Sequence, residues 1–144
     1  MIYTPMTKKA MKICFEAHKN QKDKTGLPYI FHPFHLAEQM TDEKTTITAL
    51  LHDVVEDTDI TLDDLKNEGF GDEIIKALDL LTHRPEVPYY DYIRKIKDNK
   101  IAAAVKLADL KHNSDLTRFD TVKEYDLNRN KKYKQAMNIL LGRI

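Results

Sequence analysis

Apolar residues recur at three- and four-residue spacing along almost the whole chain and nowhere alternate for long, a pattern that predicts helices and no strand. Ala10, Met11, Ile13, Cys14 and Ala17 place a first helix over Thr7 to Asn20, with His18 at the edge of its buried face. Gln21 to Pro28 reads as a polar loop. A short helix then starts near His32-Pro33, because proline at the first helical position lacks only an N–H that would be unpaired there, and it turns Leu36, Ala37 and Met40 inward. After Thr41-Asp42 comes the expected central helix, which buries Ile47, Leu50, Leu51, Val54 and Val55, carries His52-Asp53 and ends in Thr58 to Thr61. Thr61 followed by Asp63 and Asp64 looks like an N-cap with an acidic first turn, opening a short helix that stops at Gly69. Further helices are expected over Asp72 to Leu81, Tyr89 to Ile96, Ala102 to Leu116 and Val122 to Leu141, with a loop at Thr82 to Pro88.

An all-α chain of 144 residues fits one domain and is long enough to bury a core without disulfides. Lys plus Arg and Asp plus Glu each total 23, so the zero net charge offers no general attraction to a nucleic acid polymer or a membrane. The single cysteine, Cys14, excludes an intramolecular disulfide and a thiolate metal cluster. No secretory signal begins at Met1 to Pro5, and no apolar run approaches the roughly 18 residues of a membrane span, so a cytoplasmic protein is expected. No pattern fixes the oligomeric state.

Candidate chemistry gathers in two apolar stretches. In Ala49-Leu50-Leu51-His52-Asp53-Val54-Val55-Glu56-Asp57, helical spacing places His52 over Glu56 and Asp53 over Asp57. Carboxylates grouped in a segment apolar enough to be core need a compensating cation, and a divalent metal is the simplest one. The second stretch, Ala103 to Asn113, predicts a closely packed helix that nevertheless carries Asp109 and Asn113 on one face. Two such helices facing each other can build a metal site. With His32 added, the set His32, His52, Asp53 and Asp109 mixes nitrogen and oxygen donors and suits manganese, iron or zinc better than calcium. His35 is expected behind the ligands or partly buried, and His18 is either a packed histidine or a pocket residue.

The run Ala17-His18, Gln21, Gly26, Pro28-Tyr29-Ile30, His32-Pro33, then Ala49 to Thr58, then Lys106-Leu107-Ala108-Asp109 and His112-Asn113 resembles the HD-domain hydrolases of the RelA/SpoT-homologue group. It is most similar to the single-domain small alarmone hydrolases, and the likeness covers residues 10 to 118. The resemblance implies an all-α HD-domain helical bundle over 1–144 with a metal site between core helices and no synthetase domain. It further implies one manganese ion, with zinc or iron as alternatives, held by His32, His52, Asp53 and Asp109. Glu56 and Asp57 would work on the attacking water, and Asn113 would contact a small nucleotide. The implied reaction removes pyrophosphate from the 3′ position of guanosine tetra- or pentaphosphate, whereas one relative type takes a phosphate from NADPH.

Two departures bear on the substrate. Gln21-Lys22-Asp23-Lys24 has Asp23 where the group has an arginine expected to contact the nucleotide, which leaves Lys22 and Lys24 as candidate phosphate contacts. The stretch 82–93 is shorter than in alarmone hydrolases, and its Tyr89, Tyr90 and Tyr92 either stack on a base or pack as core. On the last helix, Tyr133 is a candidate wall of the pocket. Three readings therefore stand together: an alarmone pyrophosphohydrolase, an HD phosphatase of another nucleotide such as a nucleoside monophosphate or NADPH, and a catalytically silent nucleotide-binding HD module.

Overall fold

The Thr4 hydroxyl accepts the Thr7 N–H and the Thr7 hydroxyl accepts the Thr4 N–H, a capping box that starts α1 (Pro5–His18) two residues ahead of the apolar periodicity. The computed structural model describes residues 1–143. In α2 (Phe31–Glu38), Pro33 is the third helical residue rather than the first. Its missing N–H still falls in the first turn, where no intrahelical acceptor exists.

At the centre lies α3 (Glu43–Leu51), capped by Asp42 and buried on every side from Thr45 to Leu51. A helix buried all round carries no amphipathic signature, and its threonines need partners. The hydroxyls of Thr46 and Thr48 find them one turn back, donating to the carbonyls of Asp42 at 2.6 Å and Lys44 at 2.8 Å. Around α3 pack α1, α2, α6 (Asp72–Leu81) and α8 (Lys100–Asn113). Leu36, Leu50, Leu51, Leu78 and Leu110 fill the space between them.

The expected continuous helix through His52-Asp53 is interrupted. α3 stops at Leu51, His52 is its C-cap, and Asp53 takes φ −105° and ψ 0° before the four-residue α4 (Val54–Asp57). One of the two predicted stackings survives this break, since the Asp57 N–H donates to the Asp53 carbonyl at 2.9 Å. Glu56 does not join the patch. It is exposed, and its Oε1 accepts the His83 N–H at 2.7 Å.

Thr61 caps α5 (Leu62–Asn67) as its sequence predicts, and Gly69 at φ +98° ends the turn that follows in the left-handed region. α7 (Tyr89–Lys97) leads to α8, which starts earlier than predicted because Asn99 accepts the Ala102 N–H at 2.9 Å. α8 also ends before Leu116: the Ser114 hydroxyl bonds back to the Leu110 carbonyl, and Asp115 starts a 3-10 turn, Leu116–Arg118. α9 (Glu124–Leu140) packs over α7 and α8. Among the described residues there is no strand, only an isolated bridge between Lys22 and Pro28 that shapes their loop. None of the described helices is long and apolar enough to cross a membrane.

Cys14 is fully buried on α1, and burial, with a smaller contribution from the Asp53 charge, pushes its thiol up to about 12. The thiolate is the reactive form. A disulfide-exchange reagent near neutral pH is therefore expected to leave the folded protein unmodified and to titrate one thiol after denaturation. Modification of the folded protein at the rate of a free thiol would contradict this packing.

Candidate active site

His32 enters from α2, His52 and Asp53 from the α3–α4 break, and Asp109 from the buried side of α8. Ligating atoms of His32, His52 and Asp109 lie within 4.8 Å of one another. Asp109 Oδ1 is 2.9 Å from His32 Nε2 and 3.6 Å from His52 Nε2, while Asp53 Oδ2 is 3.0 Å from His52 Nε2. The break after Leu51 brings His52 and Asp53 to one point, which neighbours in an unbroken helix, 100° apart, do not reach as readily.

The protonation pattern of His52 fits a cation. Its Nδ1 lies 2.7 Å from the Ala49 carbonyl, an acceptor only, so Nδ1 carries the proton. Nε2 is buried without a hydrogen-bond partner, 3.0 Å from Asp53 Oδ2, and in the neutral imidazole with its proton on Nδ1 it is a lone pair aimed at the cluster. That lone pair and an ionised Asp53 carboxylate are brought together stably by a proton or a cation between them, and a divalent cation satisfies both as donors. A backbone carbonyl behind one histidine nitrogen is also the usual means of aiming the other at a metal. His32 is held similarly, with Nδ1 2.7 Å from His112 Nδ1 and Nε2 turned to Asp109.

The two carboxylates are shifted in opposite directions. Burial raises Asp53 well above the usual carboxylate range, and the charges of Asp109, Asp57 and Glu56 add to that. Burial acts on Asp109 in the same sense, but Lys106 and then the two histidines outweigh it and hold the carboxyl well below its ordinary value. Lys106 Nζ sits 2.9 Å from Asp109 Oδ2 and 5.3 Å from the centre of the Tyr92 ring. Asn113 completes the shell, its Nδ2 donating to Asp109 Oδ1 at 3.0 Å.

Beside this cluster opens a cavity of about 460 Å³, within the range that holds a nucleotide-sized ligand. Tyr29 and Asn113 belong to both: each lines the cavity, the Tyr29 hydroxyl donates to Asp53, and Asn113 donates to Asp109. Lys22, Lys24, Arg118 and Arg129 line it against two carboxylates, Asp23 and Asp57. Burial, then the charges of Arg129 and Lys132, hold the Lys24 ammonium below its usual range, a strain that a bound anion relieves. Phe119 and Tyr133 supply aromatic wall.

Of the residues singled out in the sequence, Lys22, Lys24, Asp57, Asn113 and Tyr133 therefore share one cavity, and Glu56 does not line it. Nor do Tyr89, Tyr90 and Tyr92. Their rings pack on one another and on His83, and the Tyr92 hydroxyl is committed to the Leu81 carbonyl at 2.7 Å. His35 is exposed, and its ring packs at a tilt against that of His112, with centroids 4.2 Å apart. His18 is buried, with Nδ1 2.8 Å from Gln21 Oε1 and its ring 4.8 Å from that of Tyr29. No role is assigned from sequence to Tyr29, Lys106, Arg118 or Arg129. Lys106 is three residues before Asp109 on a helix otherwise buried, the one local signal that pointed to it.

Residues 10–107 match the HD domain family. A guanosine-3′,5′-bis(diphosphate) 3′-pyrophosphohydrolase of Aquifex aeolicus is 42% identical over 85 residues, which are 56% of this chain and 12% of that protein. A GTP pyrophosphokinase of Streptomyces coelicolor is 34% identical over 146 residues, 92% of this chain and 16% of that protein. The chain thus spans less than a fifth of the length of these curated relatives. A solved metazoan ortholog of SpoT, described as hydrolyzing ppGpp, has the same fold, with a TM-score of 0.78 over 97% of this chain and 88% of that one at 22% identity.

Proposed function

Because the chain belongs to the HD-domain family, we propose that it is a metal-dependent phosphohydrolase of a small phosphorylated nucleotide and that it removes the 3′-pyrophosphate of guanosine 3′,5′-bis(diphosphate). The observation that carries the reaction class is the junction at Tyr29 and Asn113, where a cavity lined by four cationic side chains meets the His32, His52, Asp53 and Asp109 cluster. The substrate rests on the similarity to relatives named for that hydrolysis.

In this reading His32, His52, Asp53 and Asp109 hold one divalent cation, manganese, with zinc or iron as alternatives compatible with the same donors. When bound, it supplies Lewis acidity and positive charge for phosphoester hydrolysis. Asp57, on the cavity wall, takes the proton of the attacking water, and Glu56, anchored on the His83 N–H outside the cavity, positions α4, which carries Asp57. Asn113 is pinned through Nδ2 and offers its Oδ1 to the nucleotide. Lys22 and Lys24 neutralise phosphate oxygens, and Tyr133 stands beside the base or sugar. Residues 1–144 act as one hydrolase domain in the cytoplasm, where such nucleotides are dissolved.

Side-by-side rates on metal-loaded protein test the substrate. Guanosine tetraphosphate is expected to be turned over at a kcat/KM at least tenfold above guanosine monophosphate and NADPH. A preference for either of those would transfer the reading to an HD phosphatase of another nucleotide, and inactivity on all three with metal bound would leave a silent binding module.

A further inference from the structure

Arg118 ends the 3-10 turn after α8 and forms part of the cavity wall, with its side chain 16% exposed. Its guanidinium is held from two sides. Nη1 donates to the His112 carbonyl at 2.9 Å and Nη2 to Asp23 Oδ2 at 3.1 Å. A guanidinium carries five N–H donors in a fixed plane. The remaining three have no protein acceptor among the described residues, so this cation is oriented without being consumed.

Asp23 is consumed. Its Oδ1 accepts from the Thr25 N–H at 2.8 Å, the Thr25 hydroxyl at 2.6 Å and the Leu27 N–H at 3.1 Å, closing the turn in which Gly26 adopts φ +87°, and its Oδ2 accepts from Arg118. With its acceptor positions taken and its charge matched, this carboxylate is a support for Arg118 rather than a group that reads a ligand. The bridge spans 95 residues of sequence and ties the 21–28 loop to the end of α8. Lys24 and Arg129 line the same cavity, and Arg129 lies 5.7 Å from the centre of the Phe119 ring. Arg118 itself makes no contact with the metal-ligand carboxylates, whose bonds go to His32, Lys106, Asn113 and Tyr29. The cavity therefore offers cationic groups separate from the reacting cluster.

Resting on the hydrolase reading above, we propose that Arg118, oriented by Asp23, binds the phosphoryl group of the substrate that does not react, and so selects nucleosides phosphorylated at two separate positions over those phosphorylated at one. A planar guanidinium with free donors matches a terminal phosphate in a bidentate fork. Anchoring the group that does not react holds the substrate alike in ground and transition states, so its loss is read in KM. Asp23 is a positioning residue in this scheme.

The test pairs turnover with binding. Arg118→Ala is expected to raise KM for guanosine tetraphosphate at least tenfold with kcat within about threefold of wild type, the signature of binding shared by ground and transition states. Guanosine 5′-diphosphate, which carries only the group that does not react, serves as a calorimetric probe, and its affinity is expected to fall by a similar factor. Arg118→Lys is expected to recover part of that affinity, and Asp23→Asn to lose about threefold by loosening the guanidinium. Arg118→Gln replaces the alanine variant if the latter does not fold. Unchanged guanosine 5′-diphosphate affinity in folded Arg118→Ala or Arg118→Gln, or no binding by the wild type, overturns the proposal. Absence of turnover in a wild type that binds this probe through Arg118 would instead count against the hydrolase reading alone.

Discussion

Replacing Asp109 by alanine is expected to abolish metal binding and turnover together and to destabilise the fold by about 3–5 kcal/mol, the usual consequence of stripping a buried charge of its partner. Asp109 serves two neighbourhoods with its two oxygens. Oδ1 meets His32 and Asn113, and Oδ2 holds the Lys106 ammonium at 2.9 Å. Alanine leaves that ammonium buried beneath the Tyr92 ring with no counter-charge. The two losses are separable. In the double variant Asp109→Ala, Lys106→Met the unpaired cation is gone, so stability is expected to return most of the way while metal binding stays lost. Denaturant unfolding and metal titration on the three proteins check both halves. A double variant as unstable as the single one would show that Lys106 is not what Asp109 stabilises.

Asp57→Asn is expected to keep the metal and lose about 10²–10⁴ in kcat, the range assigned to a positioned acid or base, and Glu56→Gln, made separately, to keep the metal and lose less, because Glu56 acts only by holding α4 in place. Asp57 faces the cavity directly and is one turn from Asp53, whose carbonyl accepts its N–H, so it sits about 5–6 Å along the helix axis from the cluster. Glu56 acts from outside the cavity. The His83 N–H fixes one oxygen, and amidation weakens that anchor by removing the charge that shortens it to 2.7 Å. Because neither side chain is among the donors around His52, metal stoichiometry is the control. Unchanged turnover with either variant would remove that residue from the chemistry.

The parts of this molecule legible from sequence were those with a short-range physical cause. Thr61 and the acidic residues after it predict a cap, the 3.6-residue periodicity predicts α6 from Asp72 to Leu81, and Asp109 on an apolar helix predicts a buried partner. The break after Leu51 was not legible. No glycine or proline marks it, and periodicity through Val54 and Val55 continues as though the helix did, so the geometry at His52 and Asp53 is set by packing among α1, α2 and α8 rather than by local preference. Distance in sequence hid the rest. Asp23 alone reads as a lost positive charge in the nucleotide loop, and only the folded chain shows Arg118 arriving 95 residues later to pair with it. For the tyrosines of 89–92 the sequence leaves stacking on a base and packing as core both open, and the fold decides for packing, with the Tyr92 hydroxyl on the Leu81 carbonyl.

The most direct measurement is release of pyrophosphate from guanosine 3′,5′-bis(diphosphate) by purified protein before chelation, after chelation and after manganese is restored. Turnover that disappears with the chelator, returns with manganese and yields guanosine 5′-diphosphate as the second product is the predicted result. Full metal occupancy with no release of pyrophosphate, or release unaffected by complete removal of metal, would contradict a metal-dependent pyrophosphohydrolase built on His32, His52, Asp53 and Asp109.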